Sequence, residues 1–129
     1  MNAMRERVVA VVDDDSRVLE SLEDLLESAG HTVHLFRSAQ ALLDDRAFGK
    51  IDCLISDIGM PTIDGFGLER LARAARPELP VILITGRLEL IKGRQMTELG
   101  ENRTFLLKPF SEQELLGAIS KALAPRPRT

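Results

Sequence analysis

Short apolar runs recur along this chain, and each gives way to a stretch whose apolar residues return at helical spacing. No other feature constrains the fold as much. Val8–Val12 (VVAVV) is unbroken and β-branched, as in a strand covered on both faces. Ser16–Ala29 follows, with Val18, Leu19, Leu22, Leu25, Leu26 and Ala29 on one helical face and Gly30 as its stop. His31–Phe36 alternates and predicts a strand near a sheet edge. Ser38–Ala47 predicts a short helix capped by Ser38. Cys53–Ser56 (CLIS) predicts a third strand, ending at Asp57, and Phe66–Ala75 a third helix that closes before Pro77. Val81–Thr85 (VILIT) predicts a fourth strand. Leu88–Leu99 predicts a weaker helix, since Gly93 costs it about 1 kcal/mol relative to Ala. Phe105–Leu107 predicts the last strand, and Ser111–Leu123 the last helix, with Ser111 and Glu114 spaced as a capping box.

The pattern is (βα)5: an α/β fold with a five-stranded parallel sheet and helices on both faces. In open parallel sheets, ligands bind beyond the carboxyl ends of the strands. The polar residues collect there. The first strand runs into Asp13, Asp14 and Asp15, the third ends at Asp57, the fourth at Thr85, and Lys108-Pro109 follows the fifth. Carboxylates brought together repel one another, and a divalent cation relieves the strain. Oxygen donors with no His or Cys beside them favour Mg²⁺, with Mn²⁺ the alternative. Because Mg²⁺ pairs carboxylates with phosphate oxygens, the implied chemistry is phosphate handling. The chain has no GxxxxGK[ST] loop, so a nucleotide cradle is not indicated.

Composition narrows the field. The 129 residues suit one domain, expected over residues 1–124, with the Pro/Arg-rich 125–129 as a frayed tail or the start of a linker. A net charge of -3 argues against direct nucleic-acid binding by this chain, and the lack of Trp and Tyr argues against a base-stacking platform. No apolar run reaches membrane-spanning length, no signal-peptide core is visible, and Cys53 is the lone cysteine, so a reducing cytoplasm is expected. Cys53 reads as a small buried hydrophobe, His31 and His34 as structural, and Met60 and Phe66 as packing.

VVDDD (Val11–Asp15), LISDIGMPTIDG (Leu54–Gly65), VILITG (Val81–Gly86) and FLLKPF (Phe105–Phe110) stand in this order over about residues 6–124. In that order and spacing the chain resembles the receiver domains of response regulators, the CheY-like, flavodoxin-like family of two-component signalling. The resemblance implies a phosphorylation-activated switch. Asp57 would accept a phosphoryl group from a histidine kinase or phosphotransfer protein. Asp13, Asp14, Asp57 and the backbone carbonyl of Gly59 would hold Mg²⁺. Lys108 would pair with a phosphoryl oxygen, Thr85 would hydrogen-bond another, and Phe105 would stand as the switch aromatic. The Lys108–Pro109 peptide would be cis.

Phosphorylation would then shift the surface of the fourth helix, last strand and last helix, so that it binds a downstream protein or dimerises. On this reading the chain is no enzyme beyond its own phosphoryl transfer and slow dephosphorylation.

The family's pattern is not matched everywhere. Gly59 lacks a side chain where the family often has a larger one. Glu101-Asn102-Arg103-Thr104 replaces the small turn usual before the last strand, and the interval from Thr85 to Lys108 is about one residue longer. Phe at 105 in place of Tyr removes a hydroxyl. Alternatives to a stand-alone receiver are the receiver half of a DNA-binding transcriptional regulator, a Mg²⁺-dependent aspartyl phosphohydrolase, and a degenerate receiver that signals without phosphate. The phosphohydrolase is disfavoured because Gly59, not an acid, stands two residues after Asp57. Taken one by one, Asp13–Asp15 could be a helix cap, Lys108 a surface lysine and Thr85 a strand residue. Asp15 is expected to be the helix-proximal acid and not a metal ligand.

Overall fold

The computed structural model describes residues 7–87 and 103–124. Strands β1 (Val8–Val12), β2 (Thr32–Phe36), β3 (Cys53–Asp57), β4 (Val81–Thr85) and β5 (Arg103–Leu107) form one sheet in the order β2-β1-β3-β4-β5. Every adjacent pair is parallel. The described helices are α1 (Ser16–Ser28), α2 (Ala39–Asp44), α3 (Gly65–Ala75) and α4 (Glu112–Leu123), with a 3-10 turn at Ala47–Lys50. The expected helix over Leu88–Leu99 lies outside the described residues. None of the described helices is long and apolar enough to cross a membrane.

The central strands are apolar up to their carboxyl ends because both of their faces are covered. Alternate residues feed two cores. Ala10, Val12, Leu54, Val81 and Leu83 pack with Leu42 of α2 and with Phe66, Leu68 and Ala72 of α3. Val9, Val11, Cys53, Ile55, Ile82 and Ile84 pack on the other face with Leu19, Leu22 and Leu26 of α1 and with Leu115 and Ile119 of α4. At the sheet edge β2 is only partly buried and exposes His34, as its alternation predicts.

Caps define the helix ends. Asp15, Ser38 and Asp64 each accept a hydrogen bond from a first-turn N–H of α1, α2 and α3 respectively. Ser111 and Glu114 close the expected capping box of α4. Helix α1 ends with Gly30 at φ 96°, where the Gly30 N–H donates to Glu27 O and the His31 N–H to Leu26 O.

Two elements depart from expectation. The helix expected over Ser38–Ala47 stops at Asp44, because Arg46 takes a left-handed conformation at φ 52° and a 3-10 turn follows. The last strand begins at Arg103, not Phe105, so Arg103 and Thr104 pair with Val81 and Ile82 instead of forming a turn. The charge of Arg103 is tolerated there because Glu69 on α3 neutralises it.

Candidate functional site

The order β2-β1-β3 places the reversal of chain progression between β1 and β3, and the acids stand at the carboxyl ends of these two strands. Backbone bonds continue past the strand ends and fix the loops that carry the acids. The Asp13 N–H donates to Phe36 O (3.1 Å), the Ile58 N–H to Ile84 O (2.9 Å) and the Lys108 N–H to Thr85 O (2.8 Å). Each functional side chain is thus held within a residue or so of a hydrogen-bonded ladder.

Asp13, Asp14 and Asp57 converge: each offers a carboxylate oxygen, and these oxygens lie within 4.8 Å of one another. Asp13 is buried, Asp57 half-buried and Asp14 exposed. Lys108 answers the acids, with Nζ 3.3 Å from Asp13 Oδ2 and 3.3 Å from Asp57 Oδ1. The Asp15 N–H donates to Asp13 Oδ1 at 2.9 Å, and the Gly59 N–H to Asp57 Oδ2 at 3.1 Å. Asp15 itself turns away and caps α1 through the Arg17 N–H. Thus a cluster of three carboxylates holds one lysine, which pairs with two of them, Asp13 and Asp57. Unit charges about 4 Å apart near a surface interact by roughly 4 kcal/mol, so the uncompensated negative charge is substantial.

That imbalance reaches the titration of the buried pair. Burial, helped by the Asp57 charge, pushes the Asp13 carboxyl above its ordinary value, against the Asp15 N–H and Lys108. Burial also disfavours the Lys108 ammonium, but Asp13 and Asp57 outweigh it and hold the lysine above its ordinary value. The donor set is oxygen only and net negative, which fits a hard divalent cation.

The loop from Asp57 to α3 is tightly confined. The Gly65 N–H donates to Ile58 O at 3.0 Å. A Cβ on Gly65 would meet the Asp57 carbonyl oxygen at 2.6 Å and Ile58 Cα at 2.8 Å, so only glycine fits. The sequence carries no sign of this contact beyond an Asp-Gly pair before an apolar helix face.

Two expected residues stand apart from the acids. Thr85 is buried, and its Oγ1 accepts from the Arg87 N–H at 3.0 Å, so its hydroxyl is engaged in a local turn and not with the carboxylates. Phe105 is half-buried and meets Phe66 edge-on, with ring centres 6.1 Å apart. The Lys108–Pro109 peptide is cis, as the resemblance implies.

A parallel order of 2-1-3-4-5 defines a flavodoxin-like α/β domain, here with an acid cluster and a lysine at the reversal point. The chain matches the response regulator receiver domain over residues 9–120, and it belongs to that family. The response regulator protein TodT of Pseudomonas putida is 37% identical over 127 residues, covering 97% of this chain and 56% of TodT. The transcriptional regulatory protein FixJ of Bradyrhizobium diazoefficiens is 36% identical over 115 residues, covering 89% of this chain and 56% of FixJ. Among solved structures, a CheY-like receiver domain protein from Methanospirillum hungatei superposes with a TM-score of 0.81 at 26% identity, covering 92% of this chain and 94% of that one. The chain therefore spans just over half the length of these curated relatives. It is a receiver domain of two-component response regulators.

Proposed function

We propose that Asp57 is the phosphoacceptor of this receiver domain and that Asp13, Asp14 and Asp57, with the Gly59 carbonyl, hold Mg²⁺. The observation that carries the reading is the convergence of three carboxylates at the sheet's reversal point, two of them, Asp13 and Asp57, paired with Lys108. An Asp57 carboxylate oxygen forms a bond to phosphorus while the phosphorus–nitrogen bond of a partner's phosphohistidine breaks. The electron pair stays on the imidazole nitrogen, which takes up a proton. Lys108 is already within ion-pair reach of Asp57 and stabilises negative charge on a transferred oxygen. Gly59 holds Asp57 Oδ2 through its N–H and leaves the other oxygen to face Lys108. A bound divalent cation supplies charge neutralisation for the transferring group. Thr85 leaves its Arg87 contact to bind a phosphoryl oxygen, and Phe105 responds behind it. The chain catalyses only this transfer to itself and the slow hydrolysis of the acyl phosphate to carboxylate and inorganic phosphate, in the cytoplasm, with a histidine kinase as its donor.

The chain is read further as the receiver part of a longer transcriptional regulator. The support is its coverage of just over half of TodT and of FixJ, the latter named a transcriptional regulatory protein. In that setting the phosphorylated receiver dimerises or binds a protein, and nucleic acid is left to another part.

The test is intact mass after incubation with acetyl phosphate and Mg²⁺. The wild type is expected to gain one phosphoryl group, and both Asp57→Asn and wild type in excess chelator are expected to gain none. Labelling that persists in Asp57→Asn would place the acceptor elsewhere.

A further inference from the structure

A second buried charge cluster lies on the α3 face of the sheet. Glu69 is only 2% exposed, and it stands on the inward stripe of α3 between Phe66 and Ala72. Arg103, at the start of β5, grips it with a two-pronged ion pair: Nε donates to Oε2 at 2.6 Å, and Nη2 donates to Oε1. Arg73, one turn along α3, adds a contact from Nε at 3.3 Å. The Arg103 guanidinium also lies over two rings, 5.7 Å from the centre of Phe66 and 5.4 Å from that of Phe105. Phe66 and Phe105 complete the arrangement by meeting edge-on.

The geometry points to a latch: Glu69, through Arg103, clamps the ring of Phe105 against Phe66 and thereby restrains the receiver's switch. This rests on the reading of Asp57 as phosphoacceptor and of Phe105 as the ring that follows it. Three features support the inference. Arg103 and Phe105 are two apart on one strand and so share a sheet face, which lets one side chain brace the other. A fork-to-carboxylate pair is directional, and a guanidinium stacks on aromatic faces, so the clamp fixes ring position and not only charge. Finally, Thr85, the other half of the switch, is likewise held by a local contact, so both halves rest in engaged positions. Moving Phe105 away from Phe66 strips Arg103 of a ring while Glu69 still holds it. Phosphorylation works against that restraint, and release of the latch lets the switch respond sooner.

The test places 4-fluorophenylalanine throughout the chain and reads Phe105, assigned through Phe105→Leu, by fluorine NMR. Phe36 on the far edge strand serves as the control. Glu69→Gln removes the charge and keeps Arg103; Glu69→Leu with Arg103→Met replaces the pair by apolar groups, a change that folded proteins tolerate. In the free protein the Phe105 line is expected to shift, or to broaden about twofold, in both variants while Phe36 stays put. Labelling of Asp57 by acetyl phosphate is expected to quicken about threefold or more, within the range that packed side-chain networks transmit. A Phe105 line of wild-type position and width in both folded variants would overturn the latch. A labelling rate unchanged from wild type would overturn its link to the site. Failure of the wild type to be labelled at all would sink the phosphoacceptor reading instead, and the fluorine comparison would still judge the latch.

Discussion

Lys108 stands between two carboxylates, and its environment acts on it in opposite directions. Burial favours the neutral amine, but Asp13 and Asp57 hold the proton more strongly, so its folded value rises above 10.5. The stabilisation this brings is fully present below the ordinary lysine value and is lost only as pH climbs through the folded one. For Asp13 the value is also raised, above 3.8, but here the charged form is the one disfavoured. Stability from Asp13 is complete below 3.8 and declines as pH rises through its folded value, so at neutral pH its charge costs stability. A buried acid kept at such a cost, beside two more, suits a site built for a cation. Cys53 is the simpler case. Burial, with the nearby Asp52 charge, pushes its thiol up to about 12, so the thiolate is absent at ordinary pH. The native protein at about pH 8 is therefore expected to resist a disulfide reagent, and the urea-unfolded chain to react at once; rapid native labelling would contradict the buried placement. Sequence pattern made Cys53 legible because it lies in an apolar strand. The pairing of Glu69 with Arg103 was not legible. An acid on the inward stripe of α3 was a signal that something must neutralise it, but its partner is 34 residues away and no periodicity joins them.

The elements that could be read from sequence are those whose neighbours agree with them. Val8–Val12 is apolar at every position, and Val81–Thr85 at every position but its last, because both faces are covered, and their ends match the structure. The capping box at Ser111 and the stop at Gly30 were readable because each residue type has one strong local use. Helix α2 was not: its end is set by Arg46 at φ 52°, a conformation that arginine does not advertise. The early start of β5 was hidden for a similar reason, since Arg103 and Thr104 resemble turn residues until Glu69 is in place. At this scale the Asp57–α3 loop makes the sharpest prediction. Gly65→Ala sets a Cβ against backbone atoms that cannot move aside as a side chain can. It is expected to cost about 1–3 kcal/mol in chemical denaturation and to slow Asp57 labelling by displacing the loop. A variant as stable and as quickly labelled as wild type would show that the loop is free to yield.

Across the whole molecule, the strand order decides where chemistry can occur. A 2-1-3-4-5 sheet opens its crevice at the ends of β1 and β3, and there the chain places Asp13, Asp14 and Asp57. The convergence of acids was legible because strand ends in a parallel sheet share one edge. The contact of Thr85 was not, because its hydroxyl could face either the acids or its own turn, and only the structure resolves the choice. Thr85 on β4 and Phe105 on β5 each rest in a local contact, the one with the Arg87 N–H and the other beneath the Arg103 guanidinium. The proposed activity depends on one bond, an acyl phosphate on a single carboxylate. Borohydride reduces such a group and leaves homoserine at the modified position, which peptide sequencing by mass spectrometry locates. After treatment with acetyl phosphate and Mg²⁺, homoserine is expected at position 57 alone; its appearance at 13 or 14, or its absence from 57, would contradict the account.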